Sequence, residues 1–276
     1  MEIGSHEIEL KHDTDAATVF AFGDLHLAST AFEERQFKNL VQKIADTEKC
    51  IWFGMGDFGE SINPKDRRFD QESLRPKYRE HIHRLAQEEA YELIGLLTPI
   101  KDKCGGILVG NHEQVLRTQF SYDLTWELCN HFGWKHLSSE ALFRLYLLTC
   151  GSRRKVDIFL AHGYGGGRKW GSKINKLSDI AAGVRAEIYL IAHIHSRGAI
   201  KEIELALPAK GKLHLLQKER MGIIVPSFFK TYEEGQDNYA SRTLYPPSVI
   251  GGTEIRLSYS RERPSRDWKL NMSTVI

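Results

Sequence analysis

The sequence predicts an α/β protein built around parallel strands with helices between them. Three observations carry that expectation. Apolar runs of strand length recur at 17–22, 50–53, 106–109, 156–161 and 188–191. The first two flank an amphipathic stretch, 31–48, in which Phe32, Phe37, Leu40, Val41 and Ile44 lie close to helical spacing, so that 17–57 reads as a β-α-β unit. Each of the five runs is followed by polar groups beside Gly or Ala, at the strand ends where open α/β sheets build sites.

Taken in order, residues 7–12 alternate and suggest a short edge strand. The strand 17–22 leads into Gly23-Asp24-Leu25-His26, and Cys50-Ile51-Trp52-Phe53 leads into Gly54-Met55-Gly56-Asp57. A polar excursion over 59–76 precedes a long helix, about 77–98, which Pro99 closes. The strand 106–109 ends in Gly110-Asn111-His112-Glu113, and a helix follows at about 120–132. Ala141–Thr149 and Val156–Ala161 read as strands, the second ending in His162-Gly163. A glycine-rich basic loop then opens a helix near 172–183, and the run 188–191 carries Ala192-His193-Ile194-His195. On an extended strand, side chains two apart point to one face, so both imidazoles could look out of the strand end. A hairpin at 212–225 and a last strand at 253–259 are expected to complete a second sheet of a single domain spanning 1–276.

Composition is that of an ordinary globular protein, 41% apolar and 27% charged over 276 residues. No apolar run reaches the ~18 residues of a membrane helix, the N-terminus has no secretory pattern, and the four cysteines form no CxxC pair. A cytoplasmic protein with buried thiols and no membrane association is expected. The net charge of +2 provides no global field for nucleic acid. The charge is uneven, because Arg153–Lys176 holds seven basic residues against the single acid Asp157.

Any one of the strand-end groups is weak evidence, since Gly-Asp is usually a turn. Five of them in order are not: Asp24 and His26, Asp57, Asn111 and His112, His162, and His193 with His195. Gly-Asp-x-His, Gly-Asp, Gly-Asn-His-Glu, His-Gly and x-His-x-His in this order resemble the calcineurin-like metallophosphoesterases over residues 17–200. Ala192 stands where that family usually has Gly, and Glu113 where many members have Asp. The resemblance implies a four-layer α/β/β/α sandwich of two mixed sheets flanked by helices. It implies two divalent ions, one held by Asp24, His26, Asp57 and His195, the other by Asp57, Asn111, His162 and His193, with Asp57 bridging. Such a ligand mix suits Mn²⁺ first, with Fe, Zn²⁺ or Ni²⁺ as alternatives. A hydroxide between the ions would attack phosphorus in line, with His112 serving the leaving group and Glu113 either orienting His112 or standing as the acid of a helix start.

The expected substrate is a phosphoester, in particular a phosphodiester of a nucleotide or nucleic acid. Gly-Asp-Leu-His-Leu and Gly-Asp-Phe-Gly-Glu depart from the protein-phosphatase spelling and are closer to the phosphodiesterase and nuclease-like branch, including small phage and prophage members. The alternatives are a phosphomonoesterase or protein phosphatase of the same fold, and a non-catalytic metal-binding scaffold. Arg168, Lys169 and Lys173, at the start of a helix beside His162, are the candidate phosphate contacts. The basic residues of 59–84 could overhang the site or form a solvated face. His81-Ile82-His83, placed on a helix, is read as a surface pair.

Overall fold

A computed structural model describes residues 1–12, 15–60, 69–149, 152–165, 167, 169–208, 213–235, 239–261 and 268–275. Its strands are β1 (Glu2–Leu10), β2 (Ala17–Phe22), β3 (Cys50–Gly54), β4 (Cys104–Ile107), β5 (Glu140–Thr149), β6 (Ser152–Ala161), β7 (Ile188–Ile191), β8 (Gly198–Ala206), β9 (Leu216–Ile224), β10 (Thr253–Arg261) and β11 (Trp268–Val275). The helices are α1 (Glu34–Asp46), α2 (Pro76–Arg79), α3 (Leu85–Leu97), α4 (Asn111–Phe120), α5 (Leu124–Phe132), α6 (Trp170–Gly183) and α7 (Tyr239–Arg242).

Two mixed sheets form, ordered β1-β5-β6-β7-β9-β8 and β11-β10-β2-β3-β4. The two-residue period of a strand decides which layer each side chain joins. In β2, Val19 and Ala21 point between the sheets, where they meet Phe143, Leu145, Ile158 and Leu190. Phe20 and Phe22 point the other way, onto Phe37 and Ile44 of α1, Leu93 of α3 and Leu128 of α5. In the other sheet, Phe159, Tyr189 and Ile191 point away from the shared core and pack on Leu177 of α6. The layers are therefore helix, sheet, sheet, helix, as the resemblance implied.

Several local expectations change. The helix expected over 77–98 is broken into α2, a 3-10 turn at Ile82–Arg84, and α3. The break lets Tyr78, Ile82 and Leu85 turn together onto Ala28. His81 and His83 therefore lie outside any α-helix, their rings 6.5 Å apart. A whole helix, α4, starts at Asn111, where a strand-end loop was expected. The hairpin placed within 212–225 is the single strand β9, and its antiparallel partner is β8. The C-terminal strands divide between the sheets: β8 and β9 extend the one carrying β7, whereas β10 pairs with β2 and β11 with β10. No helix among the described residues is long and apolar enough to cross a membrane.

Leu190 is fully buried at the centre of the inter-sheet core. Leu190→Ala should lower unfolding free energy by about 2–5 kcal/mol, read from the urea midpoint at unchanged m-value.

Candidate metal centre

The polar residues at the strand ends converge on one place. Asp24 and His26 follow β2, Asp57 follows β3, Asn111 and His112 open α4 after β4, His162 follows β6, and His193 and His195 follow β7. They lie at the C-terminal ends of strands from both sheets.

Their backbone is unusual. Asp24, His26, Asp57, His193 and His195 have φ of 47°, 49°, 51°, 66° and 49°, in the left-handed region that non-glycine residues avoid. Each such residue costs about 1–3 kcal/mol and persists only where its surroundings over-determine it. β7 has already ended at Ile191, so His193-Ile194-His195 is not the extended strand expected from its spelling.

What holds these turns is visible in the backbone hydrogen bonds. The loops after β2 and β3 pair beyond their strands, with Asp24, Leu25 and Leu27 donating to Gly56, Asp57 and Phe58 at 2.9, 2.8 and 3.0 Å. Glu113, in the first turn of α4, takes its carboxylate to four amides: Gly110 and Asp57 at 2.9 Å, Phe58 at 2.7 Å and Gly59 at 3.1 Å. The expectation that Glu113 orients His112 is therefore replaced, because its oxygens fix the loop that carries Asp57. The nitrogen Nδ1 of His112 instead meets the carbonyl of Glu60. Two glycines leave the necessary space. A Cβ at Gly56, φ 88°, would lie 2.7 Å from Nδ1 of His162, and one at Gly110 would lie 2.1 Å from Oδ1 of Asp57.

The donor atoms fall into overlapping groups within 4.8 Å: Asp24, Asp57, His162 and His193; Asp24, His26 and His195; and His26, Glu60 and His112. His193 and His195 thus belong to different groups. Asp24 is common to the first two, whereas Asp57 was expected in both. Each carboxylate spends one oxygen on an amide. Asp57 Oδ1 accepts from His112 N at 2.9 Å and Asp24 Oδ2 from His193 N at 2.8 Å. That leaves Asp24 Oδ1 3.4 Å from Nε2 of His195 and Asp57 Oδ2 3.3 Å from Nε2 of His162. Asn111 brings Oδ1 to 3.1 Å from that same His162 nitrogen.

His162 Nδ1 donates to the carbonyl of Met55 at 2.7 Å, which turns the other nitrogen towards Asp57 and Asn111. A ring nitrogen, a carboxylate and an amide oxygen crowded this closely require a positive charge among them, supplied by a second proton on His162 or by a cation. Burial would depress the His162 imidazole, but the Asp57 charge beside it raises it to about 10. Burial would likewise raise Asp57, and His162 holds it well below the usual carboxylate range. Burial, followed by the charge of His162, lowers His193 to about 4, which leaves it neutral at pH 7 with a lone pair to give. Asp24 Oδ1 and Glu60 Oε2 have only imidazole nitrogens beside them, His195 at 3.4 Å and His26 at 3.0 Å, and His26 Nε2 and His193 Nδ1 are buried with no hydrogen-bond partner among the described residues. Buried polar atoms are rarely left so, and divalent cations at these positions would satisfy them. The mixed imidazole, carboxylate and amide donors fit such ions.

His26, Asp57, Glu60, Asn111, His112, His193 and His195 line a cavity of about 220 Å³, shared with Lys173, Phe229, Thr231 and Tyr245. A larger hollow of about 490 Å³ beside Ser5, Arg144 and Arg185 has no converging donors. Lys173, on α6, reaches the cavity and donates to Ser196 Oγ. Lys169 is exposed ahead of that helix, and Arg168 lies outside the described residues. Arg153 and Lys155 sit at the start of β6, the far end from His162, paired with Glu7 and Asp157, so the local charge excess is not gathered at the site. Lys65, Arg67 and Arg68 of the 59–84 excursion lie outside the described residues. Arg75, Lys77, Arg79 and Arg84 are ion-paired to Glu34, Glu92, Glu72 and Glu88.

Glu60 was missed by sequence reasoning. It is buried, with Oε2 3.0 Å from Nδ1 of His26. Its only local signal is a carboxylate three residues after Asp57. Glu89, fully buried on α3, supports the same loops by accepting from Ala28 N at 3.1 Å and Glu60 N at 2.6 Å.

Burial, with the charges of Glu60 and Glu113, pushes the Glu89 carboxyl up to about 8 from its ordinary 4.5. The folded chain then holds a proton that the unfolded chain releases. The stability tied to that proton is complete below about 4.5 and is lost as pH rises through about 8. Wild type should lose up to about 1.4 kcal/mol per pH unit through this group in that window. Glu89→Gln, which keeps the acceptor oxygen, should flatten the slope in thermal melts across the same range. Gly110→Ala, by displacing Asp57, should weaken Mn²⁺ binding by about 10–100-fold while leaving far-UV circular dichroism near wild type.

No family model and no curated protein matches the chain. Solved structures resemble it at low identity. A conserved protein of Streptococcus pneumoniae TIGR4, described as a predicted phosphoesterase, is 11% identical, covering 95% of this chain and 91% of its own, with TM-score 0.35. A Vps29 double mutant from Entamoeba histolytica is 10% identical, covering 94% and 99%, with TM-score 0.36. A metallophosphoesterase from Sphaerobacter thermophilus is 12% identical, covering 94% and 88%, with TM-score 0.38. Scores of this size leave the reading of the site to its own atoms.

Proposed function

We propose that the chain is a metal-dependent phosphoesterase of the calcineurin-like kind, hydrolysing phosphodiesters of the nucleotide or nucleic acid class. The observation that carries this reading is the pair of buried donor groups sharing Asp24, with lone pairs left unpartnered. Asp24, His26 and His195 would hold one divalent ion, and Asp24, Asp57, Asn111, His162 and His193 a second, Mn²⁺ being the first candidate. Bound there, such ions would supply Lewis-acid stabilisation of phosphoryl oxygens and acidify water.

The remaining work belongs to side chains. His112 lines the cavity, and its Nδ1, facing a carbonyl, must carry hydrogen. Nε2 is then the nitrogen that holds or releases a proton towards substrate. As water oxygen bonds to phosphorus and the ester P–O bond breaks, the departing oxygen takes the His112 Nε2 proton, and a proton from the water restores it. Lys173 is the one Lys or Arg lining the cavity among the described residues. The departure of Gly-Asp-Leu-His-Leu and Gly-Asp-Phe-Gly-Glu from the protein-phosphatase spelling supports the diester reading. The described cysteines, Cys50, Cys104 and Cys129, are free thiols, which suits a reducing cytoplasm.

The deciding assay compares a p-nitrophenyl diester with p-nitrophenyl phosphate on protein stripped by chelator and reloaded with Mn²⁺. Turnover should vanish on stripping and return on reloading, favouring the diester. Asp57→Asn should abolish it, and His112→Asn should reduce kcat by about 10²–10⁴-fold. Wild-type activity in Asp57→Asn would end the proposal. Stoichiometric metal without turnover would make the chain a scaffold, and a monoester preference would move it to the phosphatases.

A further inference from the structure

The cavity has two unlike sides. One is the cluster of nitrogen and oxygen donors. The other is carbon: Phe229, Ala240, Tyr245 and Pro246 from the segment between β9 and β10, with Ile194.

That second side is a built surface. Its base is stapled to the loop that carries Asp24 and His26, with Phe228 N donating to Asp24 O at 3.0 Å, Glu33 N to Phe228 O at 2.8 Å and Lys230 N to Ala31 O at 2.8 Å. The Phe229 ring stands edge-on, 5.1 Å from the His26 ring, and tilted 5.7 Å from that of His195. Its outer part is fixed as firmly. The hydroxyl of Tyr232 donates to Tyr245 O at 2.8 Å, Thr231 Oγ1 to Pro246 O at 3.2 Å, and Tyr245 N to Ala240 O at 3.0 Å.

Leu244 turns the chain into this position with φ 54°, a conformation normally left to Gly or Asn. Its amide donates to Ser241 O at 3.0 Å, which together with the Tyr245–Ala240 bond closes the C-terminus of α7 in a left-handed cap. What the turn achieves is to bring Tyr245 and Pro246 to the cavity.

We propose that Phe229, Tyr245 and Pro246 form a specificity wall that receives a planar ring carried by the group esterified to the phosphoryl group. The inference rests on the phosphoesterase reading and adds what the substrate must carry. At about 220 Å³ the cavity is smaller than a drug-sized pocket, and it suits a phosphoryl group with one ring system lying on the wall.

The test uses full-length, Mn²⁺-loaded protein and two probes with the same charged head, phenylphosphonate and methylphosphonate, titrated calorimetrically. Phenylphosphonate should bind at least about 10-fold more tightly to wild type, the gain expected from burying one ring. Tyr245→Ala should reduce that ratio to about 2 or less, whereas Tyr245→Phe, which keeps the ring, should preserve it. Circular dichroism establishes that each variant is folded, and methyl p-nitrophenyl phosphate reports turnover in parallel. Equal affinity for the two probes in wild type, or a ratio unmoved by Tyr245→Ala, overturns the wall while turnover leaves the phosphoesterase reading standing. A ring preference without turnover supports the wall and overturns that reading. Absence of binding by either probe overturns the wall, and absence of turnover as well overturns both.

Discussion

Two carboxylates without access to water govern this structure. Asp24 and Asp57 are 0% and 1% exposed, and both lie among imidazoles at the junction of two sheets. An ionised carboxylate that loses its hydration costs several kcal/mol unless charge and hydrogen bonds replace it. Each receives one backbone amide, from His193 and His112, and each turns its other oxygen towards a histidine nitrogen. The left-handed backbone at five site residues, the two side-chain-free positions at Gly56 and Gly110, and the four amides gathered by Glu113 are arrangements that hold these carboxylates in place. Glu89 holds the next layer out.

Much of this was legible because the local signals are strong. β2, β3, β6 and β7 are short apolar runs, and their polar continuations had to sit at strand ends. The parts that stayed hidden depend on partners far along the chain. Glu60 matters because of His26, 34 residues earlier, and because its carbonyl meets His112, 52 residues later. Nothing near Tyr245 in sequence says that Leu244 is turned through a positive φ. α4 is poor in apolar residues, Asn-His-Glu-Gln-Val-Leu-Arg-Thr-Gln-Phe, so its start could be read as loop. β8 leaves Ile203 and Leu205 in solvent, which weakens the alternation that usually marks a strand.

The charge pattern is a second case where linear proximity misleads. Arg153–Lys176 looks like one basic patch, yet the rest of β6, Val156–Ala161, separates its halves by about 20 Å. One half is tied down at the far end of β6, and of the other half Lys173 is the member that reaches the cavity among the described residues. Selectivity at such a site then depends less on accumulated positive charge than on the contrast between donor atoms on one side and carbon on the other.

The hydrogen bond between His193 N and Asp24 Oδ2 joins residues 169 positions apart and belongs to neither sheet alone. Its formation requires β2 and β7 to be docked already, so the centre has a high contact order and is completed late in folding. During synthesis, a chain growing from its N-terminus has made every strand of the first β-α-β unit long before residue 195 emerges. A complete donor set exists only once the two sheets have closed on each other, so the ability to hold metal is itself a report that the fold is finished.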